Sequence, residues 1–331
     1  MNTSIPDSAD YDALRHGAAW CSGWKADWLR LAGADRLRFA NAMVSCDLRS
    51  LEAGEGVYGF FTDPKGKIIA DAVFLATEDT LWVELPAECG ATIREHMLKY
   101  VVADRVEIEQ VPGWLTTRLA GPAIDGPLAD VLGVGAVPQA WNGESIARDD
   151  AGVLVRGDRR LGVPSVVMAG NAAIVSELGQ SLAEAGVRSV GASAMATVRI
   201  EEGIPWFTPD LAPGEATEAS FPQESGIEDW AVSYDKGCYL GQEVIARIHF
   251  RGKVNRSLRG LVFEPNDEPQ AGAALELEGD GVGAASSIAY SPLHERPIGL
   301  GIVHHKAEPG TTLTTPFGSC RLVELPFGAN A

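Results

Sequence analysis

Nowhere does the chain run for about 18 uninterrupted apolar residues, so no membrane-spanning helix is expected. The first 17 residues set Asp7, Asp10, Asp12 and Arg15 among small side chains, where a signal peptide would have an apolar run. A cytoplasmic location is therefore the expectation. Cysteine is sparse: Cys21, Cys46, Cys89, Cys238 and Cys320 are odd in number, far apart and form no C-x-x-C pair. That spacing fits free thiols in a reducing compartment and gives no frame for zinc or a dithiol centre. Four of the five are expected in cores as small hydrophobes. No metal held by an all-protein cage is expected, and His304-His305-Lys306 reads as a turn after a strand. The sequence also lacks a G-x-S-x-G nucleophile elbow, a phosphate-binding P-loop and a strand-linked G-x-G-x-x-G.

Positive charge is the other shortage. With 27 Lys and Arg against 45 Asp and Glu, the net charge is -18, which opposes broad attraction to nucleic acid or anionic membranes. Direct contact with nucleic acid is accordingly not expected of the molecule as a whole. Yet six of those cations, Lys236, Arg247, Arg251, Lys253, Arg256 and Arg259, fall within residues 236–259, which contain one acid, Glu243. Such a run reads either as a solvated face or as an anion-binding surface.

What is present is ample apolar material, 46% of 331 residues, enough for two or three cores. Alternation suggests strands over residues 24–31, 58–62, 68–76, 81–85 and 105–111, with a turn at residues 63–66. Helical spacing appears over residues 35–44 and, opened by Pro86, over residues 87–102, where Ile93, Met97, Tyr100 and Val101 form an apolar face. A second unit of similar make-up begins with residues 114–120, after Pro112-Gly113, and has strands near 153–156 and 165–168 and helices at 124–132 and 172–185. Residues 133–143 read as loop.

A helix over residues 193–202, capped by Gly203, carries Arg199, Glu201 and Glu202 as surface pairs worth less than about 1 kcal/mol. Pro209, Pro213, Gly214 and Pro222 mark a long irregular connection. Short alternating runs from Leu258 onward predict an all-β barrel or sandwich. The divisions are residues 1–112 and 113–190 for two α+β modules, 191–256 for a connecting segment and 257–331 for the β domain.

The densest chemistry lies in Lys236-Gly-Cys-Tyr-Leu-Gly-Gln-Glu243. Gly237 and Gly241 permit backbone conformations closed to other residues. A helix beginning near Leu240 would place the Cys238 thiol at its N-terminal end, two residues from Lys236, where positive potential favours the thiolate. On these grounds Cys238 is a candidate nucleophile or soft ligand, with a structural cysteine as the alternative.

The run Lys236-Gly-Cys-Tyr-Leu-Gly-Gln-Glu-Val-Ile-Ala-Arg247, followed by Arg251-Gly252, resembles the signature of the YgfZ family, folate-binding relatives of the glycine-cleavage T-protein. Asn41-Ala-Met-Val-Ser-Cys-Asp-Leu48, Gly66-Lys-Ile-Ile-Ala-Asp71 and Arg199-Ile-Glu-Glu-Gly-Ile-Pro205 resemble further segments of that superfamily in the same order. The resemblance implies an α+β fold of two ferredoxin-like modules closing on a central folate pocket, plus a C-terminal β-barrel. It implies tetrahydrofolate as ligand, a part in assembling or repairing iron–sulfur clusters, and an effect on tRNA thiomodification.

By the same resemblance Asp71 falls where the T-protein has its catalytic carboxylate, and Cys238 joins it as the second reactive group. Lys236 and Arg247 are candidates for the folate's anionic end, Tyr239 for stacking, and Gln242, Glu243 and Glu202 for further folate contacts. Glu84 stands where the T-protein has Asn, and its G-E-x-G-x-E stretch is not found near residues 162–169. Both departures count against aminomethyl transfer, the second functional reading. Iron–sulfur client or assembly proteins are the implied partners. RNA binding through residues 247–259 is the third reading.

Overall fold

The computed structural model describes residues 5–21, 24–148, 151–212 and 218–328. Pro213 and Gly214, part of the expected irregular connection, lie outside the described residues. The fold is mixed α and β with a closed C-terminal barrel, as the sequence predicts.

The first sheet runs Gly56–Thr62, Ile68–Ala76, Thr80–Pro86, Ala26–Ala32 and Glu107–Gln110, antiparallel throughout. Period-two alternation sorts its faces. Ala70, Ala72, Phe74, Leu81, Val83, Leu29 and Leu31 pack on one side against Phe39, Ile93 and Met97 of the helices Arg36–Asn41 and Gly90–Leu98. The other side carries Asp71, Val73 and Leu75 on one strand, with Trp82 and Glu84 on the next. Val73 pairs with Glu84 in register, so Asp71 and Glu84 emerge on the same face.

The second sheet has the order Arg188–Ser189, Ala19–Cys21, Trp114–Ala120, Ser165–Asn171, Ala151–Asp158, Gly143–Arg148. Its outer face packs Leu119, Val153, Val155, Val166 and Met168 under the helices Asp125–Leu132 and Ala172–Glu184. Its inner face meets the first sheet. At one end of that interface are Trp28, Leu75, Leu154 and Ala169, with Trp82 stacked on Trp114 at 4.7 Å and the Trp28 indole donating to Thr116 Oγ1. At the other are Arg118 and Arg156, which flank Val167 in register, and Asp158.

Arg256–Phe263, Arg296–His304, Asp280–Ser291, Ala274–Leu277, Thr312–Thr315 and Gly318–Val323 form the barrel, closed by pairing of the first strand with the last. Leu261, Phe263, Leu275, Val303, Leu313 and Leu322 lie in its core.

Several elements differ from expectation. The helix expected over residues 87–102 is Gly90–Leu98, because Pro86 ends the preceding strand opposite Ala26 and Glu88 turns the chain at φ 70°. An Asp27 carboxylate oxygen then accepts from the Gly90 N–H at 2.8 Å. Tyr100, expected in the core, lies beyond the helix end and is 41% exposed.

Residues 133–143 lead into a strand, Gly143–Arg148, whose alternation the sequence does not show clearly. The N-terminal helix Ser8–His16 and the strand Ala19–Cys21 belong with the second sheet. A three-residue strand is too short to carry a periodic signal.

The expected surface pairs of Arg199 and Glu201 are buried. Arg199 donates to Asp210, Ser287 Oγ and the Ile204 carbonyl, tying its helix, Ala192–Glu201, to the barrel. Glu201 accepts from Tyr11, Arg15 and Ser291. The sequence alone hid this, because what buries that helix comes from the N-terminus, 190 residues away at Tyr11, and from the barrel, 88 residues away at Ser287.

Candidate functional site

Between the first sheet and the Ala192–Glu201 helix lies a cavity of about 580 Å³. Asp71 and Glu84 reach it from the sheet, Trp24, Trp206 and Phe207 supply rings, and Arg160 and Lys25 supply cations. Trp24 and Trp206 meet edge to face at 4.8 Å.

Asp71 is buried and accepts one hydrogen bond from the Tyr58 hydroxyl at 2.8 Å. Burial raises its pKa, against the pull of Arg160 and Tyr58. The Tyr58 phenol is raised well above its ordinary value by burial and by Asp71. A carboxyl in this state is ready to meet donors of a bound molecule or to carry a proton.

Glu84 is in the opposite state. Burial alone would raise it, but Arg156 and Arg160 overcome that and hold it at about 2. Arg160 Nη2 reaches Glu84 at 2.7 Å and Asp158 at 2.6 Å, and Arg156 bonds both carboxylates as well. Asp158 also contacts Arg118 at 3.4 Å. Arg118 is fully buried over the Trp24 ring at 4.1 Å, and burial pulls it down to about 10. Two acids and three guanidinium groups thus form a buried network, of which Glu84 and Arg160 line the cavity.

The Lys236–Glu243 motif sits elsewhere, on the edge of the first module. Lys236 is buried, and its ammonium donates to the carbonyls of Asn41 and Val44 at 2.7 Å each and to that of Cys46. Burial lowers it to about 8, so it is charged at neutral pH, and its three donors have three acceptors. It has no donor left for a ligand.

Four residues on, the Leu240 N–H donates to the Ala42 carbonyl and the Leu240 carbonyl accepts from Thr62 Oγ1. The segment between is an arch pinned at both feet, with Cys238 exposed. The helix is Gln242–Arg251, capped by Gly241, so Cys238 precedes its first turn and not its N-terminal end as expected.

Tyr239 is buried, its ring 4.9 Å from the Lys236 ammonium. Glu243 and Arg247 pair with each other at 2.6 Å on the exposed face of the helix. Gln242 begins that helix, and Glu202 pairs with Arg15. Among the sequence candidates, Asp71 lines the cavity. Cys238, Lys236, Tyr239, Gln242, Glu243, Arg247 and Glu202 do not. Of the other cysteines, Cys21, Cys46 and Cys320 are buried and Cys89 half-buried.

Gly241 holds the arch against the first module's turn at φ 84°. A Cβ there would lie 2.6 Å from the Asp63 carbonyl and 2.7 Å from Thr62 Oγ1. Gly241→Ala is expected to destabilise the chain by about 1–3 kcal/mol, read as a lower urea midpoint at unchanged slope. An unshifted midpoint would show that the turn can give way.

Sequence reasoning passed over Tyr58, Trp24, Trp206, Arg118, Arg156, Asp158 and Arg160. A signal was present: Arg118 and Arg156 interrupt apolar strands on the parity that faces the first sheet.

The architecture is that of the aminomethyltransferase T fold. The chain superimposes on the glycine cleavage system aminomethyltransferase T from Bartonella henselae with a TM-score of 0.84, covering 97% of this chain and 89% of that one at 19% identity, a likeness that speaks to fold alone.

In sequence it is a relative of the proteins named tRNA-modifying protein YgfZ. It is 28% identical over 262 residues to that of Yersinia enterocolitica serotype O:8 / biotype 1B and 26% identical over 262 residues to that of Serratia proteamaculans strain 568. Each match covers 76% of this chain and 74% of the relative. No family model matches. Among the described residues no helix is long and apolar enough to cross a membrane, and no group of three or more His, Cys, Asp or Glu could hold a metal ion.

Proposed function

We propose that this chain binds a reduced folate in the cavity between its first sheet and the Ala192–Glu201 helix, as an accessory protein of tRNA modification. The observation that carries the reading is the buried Asp71, held by Tyr58 and facing a space walled by Trp24, Trp206 and Phe207. A pterin is flat and offers an exocyclic amine and ring N–H groups, the donors a single acceptor-rich carboxylate can meet. Lys25 is exposed at the same cavity and has no ion-pair partner among the described residues, so it suits the folate's anionic tail. Bound there, a reduced folate would supply a carrier of one-carbon units.

The tRNA link is supported by the name its relatives carry, tRNA-modifying protein. Service to iron–sulfur cluster assembly or repair rests on the resemblance of the Cys238 motif, which the fold presents on an exposed arch where a partner protein can reach it. Aminomethyl transfer gains no support, because Glu84 is held ionised between Arg156 and Arg160 where the T-protein has Asn.

Calorimetric titration with tetrahydrofolate tests the reading. The parent chain is expected to bind with quenching of tryptophan emission, and Asp71→Asn to bind at least about tenfold more weakly with unchanged circular dichroism, the loss of one charge-assisted hydrogen bond. Equal affinity in the variant would remove Asp71 from the site. In a strain lacking the protein, Cys238→Ala should fail to restore tRNA thiomodification while still binding the folate.

A further inference from the structure

We infer that the surface running from the outer end of the Gln242–Arg251 helix across to the barrel is an RNA-binding face. Three surface hollows compose it, the first on the helix that also lends Ile248 to the second, and the second and third sharing Lys253 and Asn255. One is lined by Ala246, Arg247, Phe250 and Arg251 together with Glu243. The second contains Lys67, Phe221, Lys253, Asn255, Arg256 and His304. The third shares Lys253 and Asn255 and adds Arg259 and His305. Residues 246–256 therefore bridge the first module's hairpin and two barrel strand ends, and cations that are scattered in sequence, Lys67 and Arg259 among them, line one surface.

Some of that charge is already matched. Arg247 pairs with Glu243, Arg256 with Glu224 and Arg259 with Glu324, and Glu218 and Glu308 border the hollows. Arg251 and Lys253 are exposed and have no ion-pair partner among the described residues. Beside them Phe250 is 68% exposed, its ring set edge-on to His249 at 4.8 Å and to Tyr234 at 5.8 Å.

An exposed phenyl ring braced by other rings and bordered by free cations is the arrangement that stacks an unpaired base while Lys and Arg hold the phosphates on either side. In a chain of net charge -18 such a patch is local, so the contact would be to a loop or single-stranded segment and not along a whole duplex. An acidic protein would match the cations and could use the ring as well, since aromatic side chains are enriched at protein interfaces. The choice of RNA rests on the tRNA reading above.

Fluorescence anisotropy of a labelled tRNA transcript with the full chain tests the inference. Binding is expected to weaken roughly twenty- to fortyfold between 50 and 200 mM salt, the slope of about three phosphate contacts. Arg251→Glu with Lys253→Glu should lower affinity at least tenfold and flatten that slope. Phe250→Ala should lower it about five- to a hundredfold with the slope unchanged, as loss of one stacked base does.

Polyaspartate bound as tightly as tRNA, or tRNA binding untouched by these variants, would overturn the inference. Tetrahydrofolate titration of the same variants separates the two readings. Folate bound normally with tRNA affinity lost shows the face acting alone in a folded protein. Folate bound by neither parent nor variant would sink the folate reading and leave the RNA result standing.

Discussion

Asp158→Asn is expected to cost about 3–5 kcal/mol of folding stability, the penalty for breaking a buried ionic network on one side. Asp158 accepts from Arg156 at 2.8 Å and from Arg160 at 2.6 and 2.9 Å, takes the Arg160 backbone N–H at 2.7 Å, and is the carboxylate beside Arg118. Removing its charge leaves three buried guanidinium groups with Glu84 as the one carboxylate still bonded to any of them, to Arg156 and Arg160. A domain with about 5–15 kcal/mol in hand would then unfold at low urea or accumulate as insoluble protein.

Adding Arg118→Met to Asp158→Asn should recover part of the loss, since it removes the guanidinium with the fewest other partners. A single variant as stable as the parent in urea would mean that the network contributes nothing.

The same network sets the acid limb of stability. Glu84 falls from an ordinary 4.5 to about 2 on folding, and Asp158 is held well below its ordinary 3.8. Groups lowered by folding stabilise fully above their unfolded values, and that contribution is lost as pH falls through 4.5 toward 2. Asp71, raised by folding, works in the opposite sense and offsets part of the loss. Urea midpoints measured from pH 6 down to pH 2 should therefore decline steeply below about 4.5 in the parent and less so in Glu84→Gln.

Lys236→Met is the second large effect. It leaves the buried carbonyls of Asn41, Val44 and Cys46 without their shared donor, and an unmet buried acceptor costs about 1–3 kcal/mol. Partial relaxation puts the expected loss on the order of 3 kcal/mol. Lys236→Arg should not restore it, because a planar fork cannot aim three donors at acceptors converging on one point. Hydrogen exchange distinguishes anchoring from general weakening: the Leu240 amide, bonded to the Ala42 carbonyl, should lose protection out of proportion to the barrel strands. Uniform loss across the chain would show that Lys236 does not hold the arch.

Two positions show how far the sequence reads. Ile68–Ala76 has the bounds the sequence predicts, because strand character is a local property. The barrel followed from short strands separated by Gly, Pro, Asn and Asp. Asp71 was singled out by resemblance, and the cavity it faces needed the second module in place.

Lys236 shows the opposite limit. A lysine two residues from a cysteine suggests an electrostatic partner for the thiol, yet its ammonium turns toward carbonyls about 190 residues away in sequence. Arg199 and Glu201 likewise read as surface charges until the N-terminal helix and the barrel close over them.

By itself the sequence determined the longer strands, where glycine turns the chain, and that one short motif concentrates unusual chemistry. The tertiary structure decided which charges are buried, which carboxylate faces the cavity and where Cys238 stands relative to it. The reason is physical: alternation and capping act within a few residues. Burial, pKa and the meeting of side chains depend on surfaces brought together from distant parts of the chain.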